Sequence, residues 1–205
     1  MRSLKNLCLA MGLASLALSG CAALDPKADP SRFFTLTPVS QFTQKPPQVS
    51  SNPGGISLGI GPVKFPGYLD REQLVTRISQ NRFQIAENDR WAEPLAENFT
   101  RVLMQNLAAL TPTVRLVSHP WRPSERPEYQ LEIDVLRFEA NAGANVELIA
   151  RWRVRETATK KASAVRESRL TPPVTGSSTE AAVAALSEAL GELSQEIAQA
   201  VNGKF

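Results

Sequence analysis

Apolar residues change their spacing several times along this chain, and each change marks an element. Arg32 to Thr37 is a short aromatic and β-branched run that reads as a strand. Ile56 to Phe65 alternates apolar and small residues, with Ile56, Leu58 and Ile60 on one face. Gly59, Gly61 and Pro62 predict a bulge or a close backbone approach near its end. Leu74 to Ser79 and Arg82 to Glu87 are strand-like runs across Gln80-Asn81, a hairpin. From Leu95 the step lengthens. Leu95, Phe99, Val102, Leu103, Leu107 and Leu110 recur mostly every three or four residues, which is one face of a helix. Asn88 or Asp89 is its expected cap, with Pro94 at its first turn and Pro112 past its end.

Alternation then returns. Val114 to Val117 is a short strand. Tyr129, Leu131, Ile133 and Val135 alternate with Gln130, Glu132 and Asp134. Val146, Leu148, Ala150, Trp152 and Val154 repeat the pattern after a turn near Asn141 to Asn145, so these two runs predict an antiparallel pair. Ala164 to Leu170 adds a strand. Ser177-x-x-Glu180 reads as a capping box opening a last helix. The stripe of that helix is Val183, Leu186, Leu190, Leu193, Ile197 and Val201; it fits burial against the sheet or a seam with a partner helix. The element order predicts an α+β (mixed α/β) single domain, a mostly antiparallel sheet with two main helices packed on it.

Ahead of these elements the pattern is continuous rather than periodic. Arg2 and Lys5 precede an apolar run from Leu7 to Leu18, which is about twelve residues against the roughly 20 a spanning helix needs. Leu18-Ser19-Gly20-Cys21 closes it as a bacterial lipoprotein signal does. The alternative is an ordinary secretory signal with Cys21 incidental. The lipoprotein reading divides the chain into a signal peptide at 1–20, a lipidated tether at 21–31 and a periplasmic domain at 32–205. Cys21 would carry a diacylglyceryl thioether and an N-acyl chain such as palmitate, enough acyl chains for stable anchoring. Ala22 stands where an acidic residue favours inner-membrane retention, so the expected location is the outer membrane, facing the periplasm. Residues 38–55, rich in Pro, Gly, Gln and Ser, read as a loop.

Composition removes several function classes. Of the two cysteines, Cys8 leaves with the leader and Cys21 is acylated, so neither a disulfide framework nor a thiolate metal site is expected. The chain carries 23 basic and 20 acidic residues; loss of Arg2 and Lys5 leaves 21 against 20. That balance gives no case for nucleic acid. Gly59-x-Gly61 lacks a third glycine and runs into Pro62, which excludes a dinucleotide loop. His119 is the single histidine, with no Gly-x-Ser-x-Gly elbow to accompany it. No catalytic residues, metal or cofactor are expected beyond the lipid on Cys21, and the chain reads as non-enzymatic. Arg151, Arg153 and Arg155 share the polar face of one strand. They fit contact with an anionic partner such as lipid phosphate or an acidic protein. Pairing with Glu132, Asp134 and Glu147 on a solvated face is the account the pattern favours.

The most distinctive stretch is Ile60 to Ile78, Ile-Gly-Pro-Val-Lys-Phe-Pro-Gly-Tyr-Leu-Asp-Arg-Glu-Gln-Leu-Val-Thr-Arg-Ile. Together with Asn81-Arg82, Arg90-Trp91-Ala92-Glu93-Pro94-Leu95 and the early Arg32-Phe33-Phe34-Thr35-Leu36, it resembles the ABC-type transport auxiliary lipoproteins of the paraquat-inducible Pqi system. The resemblance runs from Cys21 to the last helix, with Phe33-Phe34 and Lys64-Phe65 as mild departures. It implies a non-enzymatic auxiliary subunit at the outer membrane that works with an MCE-domain protein in moving lipids across the envelope. A lipid-binding carrier and a structural envelope lipoprotein are the alternatives, and homo-oligomerisation stays open. Tyr68, Leu69, Asp70 and Arg71 form a turn-like stretch in which two apolar residues would anchor a partner and two charges orient it. An Asp70–Arg71 ion pair that merely pins the loop is the other account.

Overall fold

β6, thirteen residues from Tyr129 to Asn141, is the axis of the sheet. β7 (Val146–Glu156) runs antiparallel along its whole length, from Tyr129 opposite Glu156 to Ala140 opposite Val146. The other edge of β6 is shared. β2 (Ser57–Lys64) lies parallel to its first half, and β3 (Gln73–Ser79) lies parallel to its end at Ala140 and Asn141. β5 (Arg115–Ser118) adds parallel to β2, and β4 (Arg82–Trp91) adds antiparallel to β3. β1 (Arg32–Phe34) borders β4, and β8 (Arg166–Leu170) borders β7. The result is a mixed eight-stranded sheet. This computed structural model describes residues 28–39, 55–203 and 205, and the account concerns Ser31–Phe205. Cys21, the leader and most of the 38–55 loop lie outside the described residues.

Both helices, α1 (Leu95–Leu110) and α2 (Thr179–Asn202), pack on one face. The alternating residues Leu131, Ile133, Leu148, Ala150 and Trp152 point into that side and are buried. Phe99 on α1 meets Phe138 on β6 edge to face, with ring centroids 5.3 Å apart. The stripe of α2 from Val183 to Val201 is buried throughout, so it packs on the sheet and is not a free seam. The irregularity anticipated near Gly59–Pro62 is present as a register shift between Ile60 and Val63. There Gly61 has φ +109°, a conformation side chains disfavour.

Two caps differ from the sequence expectation. Pro94 is the N-cap of α1, and Asp89 belongs to β4. The carboxylate of Asp89 accepts from Arg32 Nε and Nη2 at 2.7 and 2.8 Å and from the Thr179 hydroxyl, so it is committed to another element. The N-cap of α2 is Ser178, one residue later than the box predicts; its hydroxyl oxygen accepts from the amide of Ala181 at 3.2 Å.

An extended segment, Thr35 to Val39, crosses the helical layer. The amide of Leu36 donates to Asn98 Oδ1, that of Thr37 to Ser187 Oγ, and that of Val39 to Asn106 Oδ1. Asn106 also donates to Ser194 Oγ, so α1 and α2 are tied to each other as well as to the segment. Gly191 makes the crossing possible. A Cβ there would stand 2.5 Å from Val39 Cγ2.

Candidate functional site

The Tyr68–Arg71 loop is built differently from a free partner contact. Gly67–Leu69 forms one 3-10 turn, and Leu69 is buried in the core. The Tyr68 ring stacks on Phe83 with centroids 4.7 Å apart, and its hydroxyl donates to Glu139 Oε2 at 2.7 Å. Burial first, and then the bond to Glu139, pushes the phenol above its ordinary pKa. Glu139 is itself buried and also accepts from Arg77 Nε (2.8 Å) and from the amide of Phe138 (2.9 Å). The Arg77 guanidinium lies over the Phe83 ring at 4.3 Å. Tyr68 and Leu69 therefore anchor the loop to its own domain. Nor does an Asp70–Arg71 ion pair form among the described residues; Arg71 Nε donates to the carbonyl of Tyr68 at 2.9 Å instead. The loop offers exposed Asp70 and half-buried Arg71 to the outside.

Glu139, Arg77 and Phe83 escaped the sequence reading. The signal was a break of parity in β6. Val135 and Leu136 are adjacent apolar residues, and the register shifts between Val135 and Arg137. Beyond that bulge the odd positions Arg137 and Glu139 join the face away from the helices.

On that open face the arginines of β7 are all paired. Arg153 Nε reaches Glu132 Oε2 at 2.6 Å, and Arg155 Nη2 reaches the same oxygen at 3.2 Å. Arg151 Nε pairs with Glu167 on β8 at 2.8 Å. Asp134 faces Lys64 at 3.9 Å, and Glu147 takes Arg137 together with Arg169 Nη1, the latter at 2.9 Å. Of the three carboxylates expected to serve the arginine row, only Glu132 does. Burial raises the pKa of Glu132, but Arg153 and Arg155 outweigh it, and the net shift is downward.

The remaining candidates supply little chemistry. His119 is exposed, with its amide bonded to the Ile60 carbonyl (3.0 Å) and its ring edge-on to Trp121. Among the described residues no group of three or more His, Cys, Asp or Glu could hold a metal ion, and no helix is long and apolar enough to cross a membrane. A cleft of about 330 Å³ lies between the β3–β4 hairpin and the start of α2, lined by Leu74, Trp91, Phe138, Val174 and Leu186.

Residues 34–198 match the family described as "ABC-type transport auxiliary lipoprotein component". The chain is 25% identical over 140 residues to the intermembrane transport lipoprotein PqiC of Escherichia coli K12, covering 68% of this chain and 70% of that one. The same protein of Shigella flexneri matches equally. Among solved structures, a crystal structure of a Xanthomonas campestris protein aligns with TM-score 0.62 at 18% identity, covering 85% of this chain and all of the other. A crystal structure of an uncharacterised protein aligns with TM-score 0.68 at 19% identity, covering 83% and 98%. At these identities the two structures speak to the fold alone.

Proposed function

The chain belongs to the family of ABC-type transport auxiliary lipoprotein components, and from that membership we propose that it is a non-enzymatic, outer-membrane-anchored subunit of an intermembrane lipid transport system. Residues 1–20 are its signal peptide, 21–31 its tether and 32–205 its periplasmic domain, with acyl chains on Cys21 holding it to the bilayer. Its partner is an MCE-domain protein of the Pqi type. The observation that carries this reading is the family match across 34–198, supported by a curated relative described as an intermembrane transport lipoprotein. The loop tip, with exposed Asp70 and half-buried Arg71, and the arginine face are the partner contacts proposed. An Asp70→Lys variant reverses the charge of the exposed tip residue and leaves half-buried Tyr68, buried Leu69 and the Arg71–Tyr68 bond in place. It should fold normally and lose most co-purification with the MCE-domain partner. Undiminished recovery of the complex would rule out the tip as a contact.

A lipid carrier is the second reading, and the apolar cleft beside α2 is what favours it; its volume falls at the low end of small-ligand pockets. Native mass spectrometry of protein extracted from membranes should then show a bound acyl species, and its absence would remove this reading.

A further inference from the structure

We propose that the open face of the sheet docks an acidic segment of a protein partner, which deepens the partner-binding reading above and rests on it. The face is layered by charge. Glu147, with 11% of its side chain exposed, lies below Arg137 at 40% and Arg169 at 59%. Glu132, at 24%, lies below Arg153 at 39% and Arg155 at 29%. An approaching molecule therefore meets guanidinium N–H donors first.

The pairing is also unequal. Glu139, Asp134 and Glu167 each have one basic partner, whereas Glu132 and Glu147 have two each. Two positive charges are left over, one per shared carboxylate. Arginine presents several donors in a fixed fork, so a guanidinium that gives one N–H to Glu132 retains others for a second carboxylate. Arg151, Arg153 and Arg155 recur along β7 at about 6.7 Å, the two-residue repeat of a strand, so the donors form a fixed row.

A membrane surface fits this face less well. Adsorption to anionic lipid gains about 1 kcal/mol per basic residue, and recognised clusters hold four to eight. Here seven basic residues are interleaved with five carboxylates, and exposed Asp134 and Glu167 sit among the cations and would repel a uniform sheet of phosphates. A protein segment can set carboxylates over the guanidiniums and leave those positions clear.

The shared carboxylates make a clean test possible. Arg153→Gln/Arg169→Gln removes the two surplus charges yet leaves Arg155 on Glu132 and Arg137 on Glu147. No carboxylate is orphaned, so folding should persist. The full-length lipidated protein in neutral detergent is titrated with fluorescein-labelled hexaglutamate at low ionic strength. Wild type should bind, more weakly as salt rises, and the double variant should bind about tenfold less tightly, the combined worth of two exposed ion pairs. The charge-matched control Arg122→Gln/Arg166→Gln, with exposed Arg122 in the connection between β5 and β6 and exposed Arg166 over the Trp152 ring on the helix side of the sheet, should bind as wild type does. Glycerol phosphate, a soluble phospholipid headgroup, should not displace the peptide at equal charge concentration. Equal losses in both variants would mean net charge alone, and displacement by glycerol phosphate would mean a lipid ligand; each overturns the proposal. So does full complementation of a deletion strain by the Arg153→Gln/Arg169→Gln variant, an outcome that leaves the auxiliary role itself standing.

Discussion

Glu139 joins a loop, a strand and a hairpin at a point water does not reach, so it tolerates substitution poorly. Glu139→Gln keeps the shape and removes the charge, leaving the guanidinium of Arg77, itself mostly buried, without its counterion. Breaking a buried pair from one side costs about 3–5 kcal/mol, far more than the pair contributes when whole. Urea unfolding should show a loss of that size, and a loss below about 1 kcal/mol would show that water or another group replaces the contact. Asp89 gives a prediction that depends on pH. Arg32 first, and then Thr179, hold its carboxyl below the usual aspartate range against the effect of burial. A carboxyl depressed in the folded state stabilises above its unfolded pKa, and that stability fades as pH falls through the folded value. In Arg32→Gln the depression is relieved. The wild-type advantage should be largest near pH 7, shrink below about pH 4 and narrow in high salt, since Arg32 is more than half exposed. Thermal melts of both proteins at pH 7 and pH 3 check this; a pH-independent gap would mean that Arg32 acts by packing on Phe34 instead.

At the scale of elements, the start of α2 separates what sequence shows from what it conceals. Ser177-x-x-Glu180 and Ser178 are both plausible openings, and the structure uses Ser178. Ser178→Ala should cost about 0.5–2 kcal/mol, as caps generally do, while Ser177→Ala should stay close to wild type in the same denaturation series. Reversal of that order would restore the capping box as first read. Apolar spacing and turn residues made every strand from β2 to β8 and both helices legible. Parallel pairing of β2 with β6 and of β3 with β6 was not legible. Those partners lie far apart in sequence and no turn joins them, whereas the β6–β7 turn advertises its own pairing. The Thr35–Val39 crossing was hidden for a related reason. Its backbone is satisfied by Asn98, Asn106 and Ser187, polar residues on buried helix faces. None of the three is singled out by periodicity, because a polar residue beside an apolar stripe carries no sign of what it binds. In the site, Tyr68 and Leu69 were found as a distinctive pair, but an aromatic–aliphatic pair in a loop looks the same whether it faces a partner or its own core.

For the molecule as a whole, the question is what the lipid proposed on Cys21 would contribute. An anchor can act in two ways. It can raise the local concentration of the domain near its partner, or it can transmit the partner's position to the bilayer as a physical bridge. The first is a mass-action effect and yields to concentration. The second does not, since a soluble domain bound to the partner still leaves the membrane unattached. A Cys21→Ser protein exported through an ordinary secretory signal leaves the sequence of residues 31–205 unchanged. It should match the lipidated form in circular dichroism and melting temperature, and it should still bind the proposed MCE-domain partner in solution. In a deletion strain, bridging predicts that this variant fails to restore envelope function even when produced well above the native level. Recovery that rises with expression would show that the lipid supplies only proximity. Full recovery at native level would show that the anchor is dispensable and that the domain works from solution.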